Sequence, residues 1–171
     1  QDYKGERVVG ERSTDYSKYP FRTVDFNEIK SHNPQMKFLY FVGNPLTRLK
    51  KLYLHHLRRN PANTDEDFQT ELEKNELYYR QVCSYYLQAK RYVDFFGLEK
   101  IKIIDIDKLD THIGEVLSGI FQFLNVRDIP LQITNRRFNV NDIERDEREL
   151  KIPTHMERTL LEDFLKLTAL A

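Results

Sequence analysis

Asn44, Arg48, Lys51 and His55 recur at spacings of four, three and four residues. On a helix that spacing puts them on one face. Gly43-Asn44-Pro45 precedes them, between the apolar "KFLYFV" (37–42) and the basic "LTRLKKLYLHHLRR" (46–59). A strand that ends at such a turn and leads into a helix offers an anion three things: backbone N–H groups, a partial positive charge and nearby cations. Arg48 and Lys51 would add direct contacts to a phosphate. The competing reading is a solvated basic face with no ligand.

That much local charge stands out against the whole. The 171 residues carry 27 basic and 27 acidic side chains, so the formal net charge is zero. The balance argues against bulk nucleic-acid or membrane-surface binding, which usually goes with a basic excess. Hydrophobic residues make up 40% and charged residues 32%, a globular composition. The length suits one domain, 1–171. No apolar run approaches the roughly 20 residues of a membrane helix. One cysteine, Cys83, excludes an internal disulfide and a cysteine-based zinc site, and its setting among tyrosines predicts a buried, inert thiol. No metal site is expected, since the adjacent His55 and His56 point in different directions on a helix.

The elements that must position this turn read as follows. "MKFLYFV" (36–42) is a continuous apolar run, predicted as a parallel strand buried on both faces, and "KIKIIDI" (100–106) is predicted as a second core strand. A brief strand is predicted at Val8-Val9, and a short helix over 26–33. Pro45 opens a helix at its preferred first position. Thr64 is expected to cap the next helix. A long helix is predicted over 75–96, with Tyr78, Val82, Tyr85, Tyr86, Ala89, Val93 and Phe96 as its stripe and Gly97 as its stop. Another helix is expected over 111–124, and Thr154-x-x-Glu157 reads as a capping box for a final one. Strands alternating with helices define an α/β fold with a parallel sheet flanked by helices.

"FLYFVGNPLTRLKKLY" resembles the segment "ilRNPveRayShY" of the PAPS-dependent sulfotransferases, with Asn44, Pro45, Arg48 and Tyr53 matching. In that family the segment binds the 3′-phosphate of the nucleotide. The arginine before Asn-Pro is Gly43 here, and the serine eight residues on is Lys51. "VVGERSTDYSKYP" (8–20) is similar to "GEKSpdY" of the heparan-sulfate-type and bacterial members. "KIKIIDIDKLDTHIGEVLSGIFQFLNV" (100–126) resembles "ilvlryEdLl…l..i..FLgl", and "NRRFNVND" (135–142) resembles the late "R.fNvn" segment.

The resemblance implies a P-loop-kinase-like sulfotransferase fold. It implies Glu11 as the base that deprotonates an acceptor hydroxyl and Arg12 as a cation near the transferred group. Gly43, Asn44, Arg48, Lys51, Arg136 and Arg137 would then face PAPS, the co-substrate. The family's opening strand, phosphosulfate loop and helix have no counterpart before Val8, so the fold is expected to lack that unit. The expected reaction moves a sulfuryl group from PAPS to a hydroxyl or amine, the acceptor including carbohydrate. The alternative is a non-catalytic module that binds a nucleotide, a sulfated glycan or a protein partner. One cysteine and no visible signal peptide fit a cytosolic protein, and a Golgi luminal fragment without its anchor fits as well.

Overall fold

The computed structural model describes residues 5, 8–59, 67–109, 111–128 and 150–170. Two parallel strands form its sheet, β1 (Phe38–Val42) and β2 (Ile101–Asp105), in register from Phe38 opposite Ile101 to Val42 opposite Asp105. Between and around them lie α1 (Phe26–His32), α2 (Pro45–Arg59), α3 (Phe68–Lys74), α4 (Glu76–Cys83), α5 (Tyr85–Phe96), α6 (Ile113–Leu124) and α7 (Thr154–Thr168). This is the expected α/β arrangement of a parallel sheet flanked by helices.

Strand periodicity decides what each face of the sheet meets. Tyr40 and Val42 of β1 and Ile103 of β2 point to one side. There they pack against Tyr85 and Ala89 of α5 and Phe164 and Leu167 of α7. Phe38 continues that layer, with its ring 5.1 Å from Tyr92 and 4.7 Å from Phe96. Phe41 points the other way and is exposed. A second core has no strand in it. Leu49, Tyr53 and Leu54 of α2 meet Phe68 and Leu72 of α3, Tyr79 and Cys83 of α4, and Met156 and Leu160 of α7.

The predicted helix over 75–96 is two helices. Ser84 takes an extended conformation, φ −78° and ψ 94°, and ends the first. Its hydroxyl donates back to the Arg80 carbonyl at 2.8 Å. The first turn of α5 then finds its acceptor in another helix. Tyr86 N–H and Leu87 N–H donate to the Asp163 carboxylate of α7, at 2.8 and 3.2 Å. Asp163 thus does the work of an N-cap side chain from far along the chain. Gly97, with φ +92°, stops α5 as expected.

Two smaller expectations fail for local reasons, and a third falls outside the described residues. Val8 and Val9 form no strand; both are exposed and neither pairs with β1 or β2. Thr154 is the first helical residue of α7 and makes no side-chain cap; Pro153 precedes it and its carbonyl receives Glu157 N–H. Asp67 caps α3, accepting from the Gln69 and Thr70 N–H groups, whereas Thr64 lies outside the described residues.

Candidate functional site

β1 ends at Val42 and α2 begins at Pro45, so the turn between them is Gly43-Asn44. Asn44 is exposed and its side chain folds back over the helix start. Its Oδ1 accepts from Leu46 N–H at 2.9 Å and Thr47 N–H at 3.1 Å. Pro45 has no N–H, and Arg48 N–H donates to the Asn44 carbonyl at 3.0 Å. The first-turn donors that sequence reasoning reserved for a phosphate are therefore already used. An anion here would have to be held by side chains and by the residual dipole of the helix.

Gly43 is buried, and its N–H donates to the Tyr85 hydroxyl at 3.3 Å. Its φ is not positive, so the backbone does not demand glycine. Space does. A Cβ at this position would lie 2.8 Å from Ile106 Cγ1 and 2.9 Å from Cδ1. The 3-10 turn Ile106–Leu109 after β2 leans over the place an arginine side chain would leave the backbone. Ile106 is itself exposed, so it can turn away, but only by giving up that contact.

Arg48 and Lys51 do not share one environment. Lys51 and His55 are exposed, whereas Arg48 is half-buried. The Arg48 guanidinium sits 5.0 Å above the Tyr85 ring. Its buried Nε has no hydrogen-bond partner, and among the described residues no carboxylate lies within ion-pairing distance. Burial pushes the neighbouring Cys83 thiol up to about 12, against the opposing pull of Arg48, so the thiol is protonated and inert. Burial likewise raises Tyr85 and Tyr40, and the Tyr40 hydroxyl is also without a partner. A cation with no countercharge, walled by neutral polar groups, is the feature of this turn that most suits an anion.

Glu11 and Arg12 lie on a separate segment, exposed, ahead of the 3-10 turn Asp15–Ser17. The Glu11 carboxylate accepts from the Tyr16 hydroxyl, and this bond, before burial, raises the Tyr16 pKa. The segment is pinned to α5. Tyr92 O–H donates to the Tyr16 carbonyl at 2.7 Å. Gln88 closes a two-way bridge with Tyr19, accepting its N–H at 3.0 Å and donating to its carbonyl at 2.9 Å. The Arg91 guanidinium lies 3.7 Å over the Tyr19 ring. Among the described residues no hydrogen bond or ion pair joins Glu11 or Arg12 to Gly43, Asn44, Arg48 or Lys51. Both groups reach α5 instead: Arg48 at its start, the Glu11 segment farther along. Arg136 and Arg137 lie outside the described residues.

Gln88 and Asp163 are positioning residues that sequence reasoning passed over. Gln88 is fully buried and lies three residues after Tyr85 and four before Tyr92. A polar residue at a core position of an otherwise aromatic stripe was the available signal. Among the described residues no group of histidine, cysteine and acidic side chains is arranged to hold a metal. No helix among them is long and apolar enough to cross a membrane.

A two-stranded parallel sheet, a strand–Asn-Pro–helix turn and helices packed across one face define a sulfotransferase-like α/β fold. The chain is similar to the solved structure of a sulfotransferase from Alicyclobacillus acidocaldarius, with 29% identity and a TM-score of 0.73. The match covers 98% of this chain and 66% of that chain, so this chain spans about two thirds of that protein's length. No protein-family model matches the chain, and no curated protein does.

Proposed function

We propose that this chain serves sulfuryl transfer from PAPS to a hydroxyl or amine acceptor. The observation that carries the reading is Arg48, a half-buried guanidinium without a countercharge beside the Asn44-Pro45 turn, in a fold similar to a sulfotransferase. In the proposed step the acceptor oxygen or nitrogen bonds to sulfur and the bridging S–O bond to the 5′-phosphate breaks. Glu11 takes the acceptor's proton, and the nucleotide leaves as 3′-phosphoadenosine 5′-phosphate. Placement in line and positive charge near the bridging oxygen supply the rate. Arg48 and Lys51 would hold the 3′-phosphate, Arg12 would face the sulfate, and Arg136 and Arg137 would approach the nucleotide. The Tyr16 hydroxyl donates to Glu11 Oε1, which leaves Oε2 to receive the acceptor's proton.

A second reading is favoured by one observation, the Ile106 side chain against Gly43. It occupies the way out for the arginine that the resemblance places there. In this reading the module binds a nucleotide, a sulfated glycan or a protein partner and transfers nothing.

Transfer of labelled sulfuryl groups from PAPS to a panel of hydroxyl and amine acceptors separates the two. The enzyme reading expects transfer by the wild type. It expects Arg48→Ala to lose roughly 10- to 100-fold in kcat/KM, the worth of a hydrogen bond to a charged group. Nucleotide binding without transfer to any acceptor supports the non-catalytic module. Neither nucleotide binding nor transfer removes the enzyme reading and leaves the module only a sulfated glycan or a protein partner to bind.

A further inference from the structure

α5 carries three polar side chains at spacings of three and four residues, Tyr85, Gln88 and Tyr92, which puts them on one face. Each holds main chain of another segment. The Tyr85 hydroxyl accepts from Gly43 N–H at 3.3 Å, at the turn after β1. The Gln88 amide accepts from Tyr19 N–H at 3.0 Å and donates to the Tyr19 carbonyl at 2.9 Å. The Tyr92 hydroxyl donates to the Tyr16 carbonyl at 2.7 Å. The first contact belongs to the turn that leads to Arg48. The other two belong to the segment that carries Glu11. A bond to main chain fixes where a segment runs, whichever side chains it displays.

Each of the three groups is itself held. Gln88 has no exposed surface, and its amide is fully used. With Oε1 on Tyr19 N–H, the two Nε2 hydrogens go to the carbonyls of Tyr19 and Gln81. A flipped amide would set its oxygen against both carbonyls, so the orientation is fixed by the network. Asp163 of α7 takes the Tyr86 and Leu87 N–H groups and so fixes the start of α5 beside Tyr85. The Tyr92 ring lies 4.7 Å from Phe26 and 5.1 Å from Phe38. A helix rises 1.5 Å per residue, which sets Gln88 about 4.5 Å and Tyr92 about 10 Å along the axis from Tyr85. The Arg91 guanidinium over Tyr19 and the Phe21 ring against Tyr78 hold side chains of the same segment. Stacked groups slide; the main-chain bonds do not.

We propose that this face of α5 is a ruler that sets the separation between the Gly43 turn and the Glu11 segment, with Gln88 and Tyr92 as positioning residues for the transfer. That the separation serves transfer rests on the proposed function of Arg48 and Glu11. The separation itself does not, and the two are tested apart.

Spin labels on Thr14→Cys and Lys51→Cys, both at exposed positions, read the separation without any chemistry; Cys83 is fully buried and takes no label. One narrow distance distribution is expected while α5 is unaltered. Gln88→Leu should shift or broaden it. Tyr92→Phe removes one hydroxyl and keeps the ring against Phe26 and Phe38, so it should do the same to a smaller extent, and it decides the matter if Gln88→Leu does not fold. A broad distribution with α5 unaltered, or an unchanged one in Tyr92→Phe and in folded Gln88→Leu, overturns the ruler. Unlabelled variants then test its use. In Gln88→Leu, kcat for transfer from PAPS should fall roughly 10- to 100-fold, as for a reacting group misplaced by about 1 Å. Nucleotide affinity should stay within about twofold. Unchanged kcat, or affinity lost in step with kcat, overturns the positioning role. A wild type that transfers nothing would remove the proposed function, and the label distances would still decide the ruler.

Discussion

Truncation of Leu160 to alanine is expected to cost about 2–5 kcal/mol of stability, the range for a buried leucine that leaves a cavity. Leu160 has no exposed surface and sits where α7 meets α2, α3 and α4. Four helices cannot all close on the space at once, which argues for the upper half of that range. The damage should spread along α7. Three residues on, Asp163 receives the Tyr86 and Leu87 N–H groups that open α5, and α5 holds both the Arg48 wall and the Glu11 segment. Chemical denaturation of Leu160→Ala should show the loss in midpoint with little change in slope. A cost below about 1 kcal/mol would mean that α7 is not the keystone its burial implies.

Glu11→Gln carries the largest expected effect on chemistry. General-base catalysis typically supplies about 10²–10⁴ in rate. Glutamine keeps the shape and can still accept from Tyr16, but it cannot take the acceptor's proton. Sulfuryl transfer should fall by roughly that factor while nucleotide affinity stays within about twofold, because proton abstraction is felt in the transition state and not in binding. Tyr16→Phe should move the other way or not at all, since it frees the carboxylate without touching its charge. Full activity in Glu11→Gln would remove Glu11 as the base, whatever happens to binding.

Much of the fold was legible because it rests on local pattern. β1 falls in a continuous apolar run and β2 in an isoleucine-rich one, and the structure starts and stops both within two residues of the expected ends. Pro45 and Gly97 mark helix boundaries by backbone chemistry that no tertiary contact overrides. The break at Ser84 was not legible. The apolar spacing runs straight through Val82, Tyr85 and Ala89, and what stabilises the break is Asp163, a residue 77 positions from Tyr86. Long-range caps leave no signature in a local window.

The candidate site divides in the same way. That a turn with nearby cations follows β1 could be read from residue order. That Asn44 consumes the helix donors could also have been read, since asparagine ahead of a helix is a favoured cap. The burial of Arg48 against Tyr85 could not, because it depends on how α5 restarts after Ser84. Nor could the Ile106 side chain over Gly43, since the two residues are brought together by the parallel pairing of β1 and β2.

The central claim is that the Gly43–Lys51 turn holds a nucleotide phosphate through side chains. Calorimetric titration with 3′-phosphoadenosine 5′-phosphate at two salt concentrations, on the wild type and on Lys51→Ala, tests it most directly. Lys51 is exposed, so its removal should leave the fold intact. The account predicts micromolar binding that weakens as salt rises and falls roughly two- to fivefold in the variant, as expected for one exposed charge–phosphate contact. Binding that is equally tight in Lys51→Ala and indifferent to salt, or no binding at millimolar nucleotide, would contradict it.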